Sequence, residues 1–305
     1  MTIFNKSTDY IAILAPASKC NNVFLNKADI SEEMLKKAQD LLSQHNLNYK
    51  IAKNIFSANE LPYFAASKEI RFNTFKEALL DPFVKIIWAF RGGYGCTEFM
   101  LDCLSIKPNG NKILIGFSDI TALHVLFNQY YNMPSIHASV LTSLLTLKKP
   151  GIIKIIELLD EGVSKLKLKS INGENNRELS GVLMGGNLTV FCNLIGTSLH
   201  PHTKGKILIF EDINEKGYHV HRHLIHLKNA GLFDVVKAII FGDFTNSDEY
   251  VSSSIEHFCK HHIPQIPTYK TNQIGHGKYN YPIILGNIAT IKELSLKSCS
   301  PFKLI

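Results

Sequence analysis

No apolar run in this chain of 305 residues approaches the roughly eighteen residues that a membrane-spanning helix requires. The uninterrupted stretches, such as residues 11–17 and 239–241, are far shorter. Internal repeats of fixed period and low-complexity tracts are also lacking. Glycine and proline, 19 and 11 residues, are too few for a collagen-like or disordered chain. None of the six cysteines (Cys20, Cys96, Cys103, Cys192, Cys259 and Cys299) stands in a C-x-x-C pair. A chain of this length needs no disulfide staples, so the thiols are expected reduced, in a cytoplasmic compartment. The net charge of +7 comes from scattered lysines with no basic stripe interleaved with aromatics, which argues against a nucleic-acid partner. Lys6 ahead of a short apolar stretch and Ala15-Pro16-Ala17 imitate a signal peptide, but Asp9 and the shortness of that stretch favour a buried first strand. A soluble protein is expected, with no membrane partner.

What is present is a hydrophobic content of 45%, enough for two cores at roughly 150 residues per domain. Residues 10–15 read as a strand. Asp29 and Glu32 form a capping-box helix start, after which Ile30, Met34, Ala38 and Leu41 share one helical face. Next come a strand over 49–56, a helix over 68–80, strands over 84–90 and 112–117, and a helix through about 131. Strands alternating with helices imply βαβ units and a mostly parallel sheet. The pattern then degrades into a lysine-rich stretch carrying Pro150, Gly151, Gly162 and Gly173. Beyond it lie Gly185-Gly186, a strand over 206–210, a helix over 219–230, a strand over 236–241 and short β-like runs from 283 onward. The expected fold is therefore α/β: an N-terminal domain (1–147) with a mostly parallel sheet flanked by helices, a linker (148–177), and a smaller β-rich α/β domain (178–305).

Ligands of such sheets collect beyond the carboxyl ends of the strands, where two segments stand out. Ser118, in Gly116-Phe117-Ser118-Asp119-Ile120-Thr121, falls between a strand and a helix. A serine at that turn has its hydroxyl raised and a backbone amide beside it, which suits a nucleophile; equally, Ser118 could cap the helix, with Asp119 in its first turn. Arg91-Gly92-Gly93-Tyr94-Gly95 ends the preceding strand. Its glycines allow close approach of a ligand to the backbone and Arg91 offers a cation for a carboxylate, although an ordinary tight turn explains it too. The spacing matches neither the dinucleotide nor the P-loop fingerprint.

Further along, His276 is flanked by Gly275 and Gly277, an unpromising setting for a packed core histidine and a plausible one for a general base. Glu211 and Asp212 end an apolar strand, where a carboxylate could orient an imidazole; Glu215 competes for that role. His219, His221, His223 and His226 look at first like a metal cluster, and 219, 223 and 226 share a helical face. They lack an H-E-x-x-H frame, however, and Val220, Leu224 and Leu227 explain the helix as packing, so no metal is assigned. Cys96 beside the glycine loop is a weaker candidate nucleophile than Ser118.

Taken together, these segments resemble the LD-carboxypeptidase family of serine peptidases, which includes the microcin C immunity proteins. The resemblance rests on Ala15-Pro16-Ala17-Ser18, the Arg91 loop, the Ser118 turn, Gly185-Gly186-Asn187-Leu188, Gly196-Thr197, Phe210-Glu211-Asp212 and Gly275-His276-Gly277, in family order. It implies a nucleophile Ser118 in the N-terminal domain, with a base His276 and an orienting acid Glu211 from the C-terminal domain. The oxyanion donors would be the backbone amides of Asp119 and Gly93, and Arg91, Gly92 and Asn187 would meet the substrate. It further implies removal of a terminal D-alanine from a murein tetrapeptide, no cofactor or metal, and a cytoplasmic homodimer. A peptide-nucleotide conjugate is the alternative substrate, and a non-catalytic small-ligand-binding module is the alternative of a different class. Cys96 and Glu98 depart from the family pattern, which more often has a small and a basic residue there.

Overall fold

Apolar runs too short for helices, alternating with amphipathic stretches, build two sheets. The computed structural model describes residues 2–19, 30–57, 59–143, 150–172, 177–299 and 302–304. In the N-terminal half, Tyr10–Leu14, Val84–Ala89, Ile113–Gly116 and Ser135–His137 lie parallel, with Tyr49–Ile51 at one edge. Near-continuous apolar strands are what a sheet covered on both faces requires, and the period of two sorts their side chains. Ile11, Ile13, Ile86, Trp88, Ile113 and Ile115 belong to one core cluster, while Ala12, Leu14, Ile87, Ala89 and Leu114 belong to the other. Tyr10–Leu14 is thus an interior strand of this sheet.

The C-terminal sheet has parallel strands Leu179–Asn187, Ile207–Ile213, Ala238–Thr245 and Thr268–Lys270 at its centre. Ile288–Lys292, Ser295–Cys299 and Val163–Lys167 extend it antiparallel on one side, and Lys169–Ser170 closes the other edge. Helices Gly217–Asn229 and Tyr250–His262 pack on it through Val220, Leu224, Leu227, Val251, Ile255 and Phe258. The two halves are stitched together. Ile283–Leu285 returns to pair antiparallel with Ser135–His137, Thr2–Phe4 pairs with Phe302–Leu304, and one apolar cluster runs from Leu114 and Leu123 to Phe191 and Phe210. The molecule is the expected α/β architecture.

Some local readings match the structure and others differ from it. The helix over 68–80 forms as Lys68–Leu80, with Ser67 accepting from the Ile70 amide. The strand over 49–56 stops at Ile51 and continues as the 3-10 turn Lys53–Phe56. Asp29 lies outside the described residues, as do the side chains of Ile30, Glu32 and Met34; helix Ile30–Gln44 buries Ala38. Within the stretch expected as a linker, Pro150–Glu161 is a helix and Val163–Lys167 and Lys169–Ser170 are strands of the C-terminal sheet. Its lysines suggested a solvated connection, yet Lys165 and Lys167 occupy the exposed positions of an alternating strand whose Ser164 and Leu166 are buried. Residues 144–149 and 173–176, Gly173 among them, lie outside the described residues. No described helix is long and apolar enough to cross a membrane.

Candidate active site

The strand Ile113–Gly116 delivers the chain to Ser118, whose φ of +63° lies in the left-handed region. A side chain is strained there, and at a strand-to-helix turn the strain holds the hydroxyl off the sheet. The 3-10 turn Ser118–Ile120 has Phe117 as its N-cap with no side-chain cap bond, so Ser118 is not the helix cap. Beyond the turn the chain is α-helical over Thr121–Val125 and forms a π-turn over Leu126–Tyr130. Space is tight: a Cβ on Gly116 would stand 2.9 Å from Ile120, and one on Gly92 would stand 3.0 Å from the Ser118 Cβ. The backbone of the glycine loop therefore lies directly against the serine.

That loop is held from three sides. Ser18 donates its backbone N–H to the Gly92 carbonyl at 3.2 Å, and its Oγ accepts from the Tyr94 amide at 3.1 Å. Gly93 sits at φ +110°, where a Cβ would fall 2.1 Å from Ser18 Oγ. The fully buried Arg71 donates to the Gly95 carbonyl at 2.7 Å and the Pro16 carbonyl at 3.2 Å, and forms an ion pair with Glu98. The acidic residue at 98 thus neutralises a buried guanidinium. Arg91 Nη1 donates to the Lys19 carbonyl at 2.6 Å. Asp119 is buried and accepts the Cys96 amide at 2.8 Å; burial, outweighing that bond and the Arg71 charge, lifts its carboxyl to about 6. Cys96 is fully buried, and burial together with the Asp119 charge pushes its thiol well above its ordinary value, which disfavours a thiolate nucleophile.

Glu211, fully buried on the strand Ile207–Ile213, meets His276 from a loop of the same half: Oε2 lies 2.7 Å from Nδ1. The His276 ring packs on Phe117, centroids 4.6 Å apart, beside Ser118 in sequence. Gly275, at φ +129°, and Gly277 let the loop press on Asp243, where a Cβ on Gly277 would come 1.8 Å from Oδ2. Glu215, the rival carboxylate, pairs instead with His219 at 3.1 Å. Burial would raise the Glu211 carboxyl, but the His276 charge and the two imidazoles around it outweigh burial and hold it at about 2. Burial would lower His276, and the charge and hydrogen bond of Glu211 reverse this, so its pKa is raised.

The space between the halves is a cavity of about 260 Å³ bordered by Tyr94, Ser118, Asp119, Asn187, Asp212 and Glu215, among others. Asn187 spans the junction: its backbone N–H donates to Thr121 Oγ1 at 2.9 Å, its Nδ2 to Asp212 at 2.7 Å, and its Oδ1 accepts from the Val190 amide at 3.1 Å. Asp212 also accepts from Thr189, and burial followed by the Glu211 charge raises it to about 6. His219 and His223 point to this side, toward Glu215 and Thr189, whereas His226 is exposed. Among the described residues that face gathers no metal-ligand group.

Sequence reasoning missed several participants. The Nε2 of His137, a fully buried residue on the strand Ser135–His137, stands 3.6 Å from Glu211 Oε1, beyond hydrogen-bond range but close enough for the ring to feel the charge. Ser18, Arg71, Thr121 and Asp243 hold loops in place through contacts with residues distant in sequence. Ser18 and Thr121 stand in motifs the sequence did show, but the partner of each of these residues lies elsewhere in the chain and leaves no local sign.

The protein-family comparison matches residues 11–138 to the LD-carboxypeptidase N-terminal domain and residues 180–291 to its C-terminal domain. The chain is 37% identical over 296 residues to a Rickettsia conorii protein named as a carboxypeptidase, covering 94% of this chain and 89% of the relative. It is 28% identical over 304 residues to the murein tetrapeptide carboxypeptidase of Pseudomonas aeruginosa, covering 94% of each. In fold it is similar to the muramoyltetrapeptide carboxypeptidase of Oxalobacter formigenes, with a TM-score of 0.79 at 23% identity over 96% of this chain and 99% of the other. It is likewise similar to the microcin C7 self-immunity protein MccF, at 0.78 and 18% over 97% of each. With family matches over both halves, relatives along nearly its full length and this fold, the chain belongs to the LD-carboxypeptidase family of serine peptidases.

Proposed function

We propose that this chain is a serine carboxypeptidase that hydrolyses the L,D-peptide bond before the terminal D-alanine of a murein tetrapeptide, in cytoplasmic cell-wall recycling. The names of its relatives support the substrate. The observation that carries the mechanism is the 2.7 Å bond between Glu211 and His276, made beside the strained turn at Ser118. With Nδ1 held by the carboxylate, Nε2 of His276 is the nitrogen left to take the hydroxyl proton. Ser118 Oγ bonds to the carbonyl carbon, and the backbone amides of Asp119 and Gly93 hold the oxyanion. The C–N bond then breaks, His276 returns its proton to the amine of the departing D-alanine, and water hydrolyses the ester to release the tripeptide acid. Arg91, Gly92 and Asn187 border the substrate, Arg91 as the cation for its terminal carboxylate. Metal and organic cofactors take no part in these steps. A homodimer completes the reading.

Mass spectrometry of the products from defined L,D- and D,D-terminated peptides, run beside an aspartyl sulfamoyl nucleoside, tests the substrate. D-Alanine released from the L,D-peptide alone is expected; release of the amino acid from the nucleoside instead would assign the immunity-type reaction. Tyr94 is the one aromatic ring among the described residues bordering the cavity. Ser118→Ala should lower turnover by about 10⁴-fold or more while peptide binding persists. Turnover equal to that of the unsubstituted protein would refute the nucleophile.

A further inference from the structure

Seven of the 13 histidines lie on two neighbouring helices, Gly217–Asn229 and Tyr250–His262, and three of them converge. Ring nitrogens of His221, His257 and His262 all lie within 4.8 Å of one another. The ring centroids form a nearly equilateral triangle, with sides of 5.8, 5.7 and 6.3 Å. Phe258 is its floor, stacked on His262 at 5.3 Å and edge-on to His221 at 6.1 Å. The Nε2 of His221 is buried without a hydrogen-bond partner. A buried imidazole nitrogen left unpaired is destabilising, and a ligand on that nitrogen removes the penalty.

We propose that His221, His257 and His262 form a binding site for a borderline divalent transition-metal ion, for which Zn²⁺ is the probe, and that the ion staples the two helices together. Three neutral imidazoles without thiolate or carboxylate suit Zn²⁺, Ni²⁺ or Cu²⁺ rather than Mg²⁺ or Ca²⁺, and leave a fourth position for water. Zn–N bonds of about 2.0–2.1 Å in a tetrahedron set the nitrogens about 3.3 Å apart. The ion therefore draws the rings inward, which the exposed His257 permits by a change of rotamer. The site is separate from the proposed chemistry. His219 and His223 face the cavity side of the first helix, while His221 turns to the second helix, and none of the three ligands borders the Ser118 cavity.

The test titrates Zn²⁺ into protein free of any histidine tag, in competition with a chromophoric chelator, and follows thermal melting. One Zn²⁺ per chain is expected, with a rise of a few degrees in melting temperature. His221→Gln should weaken binding at least tenfold and abolish that rise. The double variant His257→Gln/His261→Gln, on exposed positions that fold safely and without the His261 ring as a stand-in, should do the same. His226→Gln, an exposed histidine of the same helix, should bind like the unsubstituted protein. Substoichiometric binding, or affinity unchanged in both cluster variants, would overturn the site. So would an equal loss in His226→Gln, which would mark diffuse binding by the helix surface.

Discussion

Glu211 is a buried carboxylate, and such a group keeps its charge only where a partner compensates it. His276 is that partner, 2.7 Å away. The linkage has two signs. Glu211 is held at about 2 against an ordinary 4.5, so its contribution to stability is present above pH 4.5 and is lost as pH falls toward 2. His276 is raised above its ordinary 6.5, so its contribution is complete below that value and fades as pH rises through the raised one. The proposed mechanism needs His276 as a neutral base, so kcat/KM should climb with pH through an apparent pKa above 6.5. In Glu211→Gln the largest raising influence is gone, while burial and the smaller Asp212 and Asp243 charges remain. The acid limb of the pH–rate profile should therefore move to lower pH while the plateau falls about 10³–10⁴-fold. An unmoved limb would show that Glu211 does not govern His276.

Elements bring these groups to the site by their ends. Ser118 follows one strand, the glycine loop follows its neighbour, and Glu211 rides near the end of a third in the other sheet. The loop depends on Gly93: at φ +110°, with Ser18 Oγ 2.1 Å from where a Cβ would stand, it tolerates no side chain. Gly93→Ala should cost about 1–3 kcal/mol in denaturant unfolding from backbone strain. It should also lower kcat about 10²-fold as the loop withdraws from the proposed oxyanion position, with KM less affected. Stability and kcat both left intact would mean that Ser18 does not fix the loop. Most of these elements were legible because period and turn chemistry are local; the helix Lys68–Leu80 follows the sequence reading residue for residue. The helix Pro150–Glu161 was overlooked although Ile152, Ile155, Ile156 and Leu159 keep a helical period; the flanking glycines and the lysine-rich run after it made the whole stretch read as a linker.

At the scale of the molecule, the proposed chemistry requires two sheets to meet within a fraction of an ångström. Thr121, from the first half, accepts the Asn187 amide of the second at 2.9 Å in a fully buried setting, and Gly186 passes so close that a Cβ there would lie 2.4 Å from the same hydroxyl. Thr121→Val keeps the shape but orphans that amide. It should cost about 1–3 kcal/mol and lower kcat roughly tenfold by loosening the registry of the halves. Full activity with reduced stability would confine Thr121 to a packing role. The crossover of Ile283–Leu285 into the N-terminal sheet belongs to this scale as well. Read locally, it is one more short β-like run.

From residue order alone came the alternation of strands and helices, the glycine turns, and Ser118, Glu211 and His276 as candidates, because periodicity and turn preference are properties of neighbouring residues. The resemblance already singled out Glu211 over Glu215 as the acid, but the 2.7 Å contact of Glu211 with His276 came only with tertiary structure, as did the placement of His137 against that carboxylate and the meeting of His221 with His257 and His262. Those pairings join positions tens of residues apart along the chain. Which of several chemically equivalent side chains meets a partner depends on how strands register and helices pack, and a one-dimensional pattern does not encode that distance.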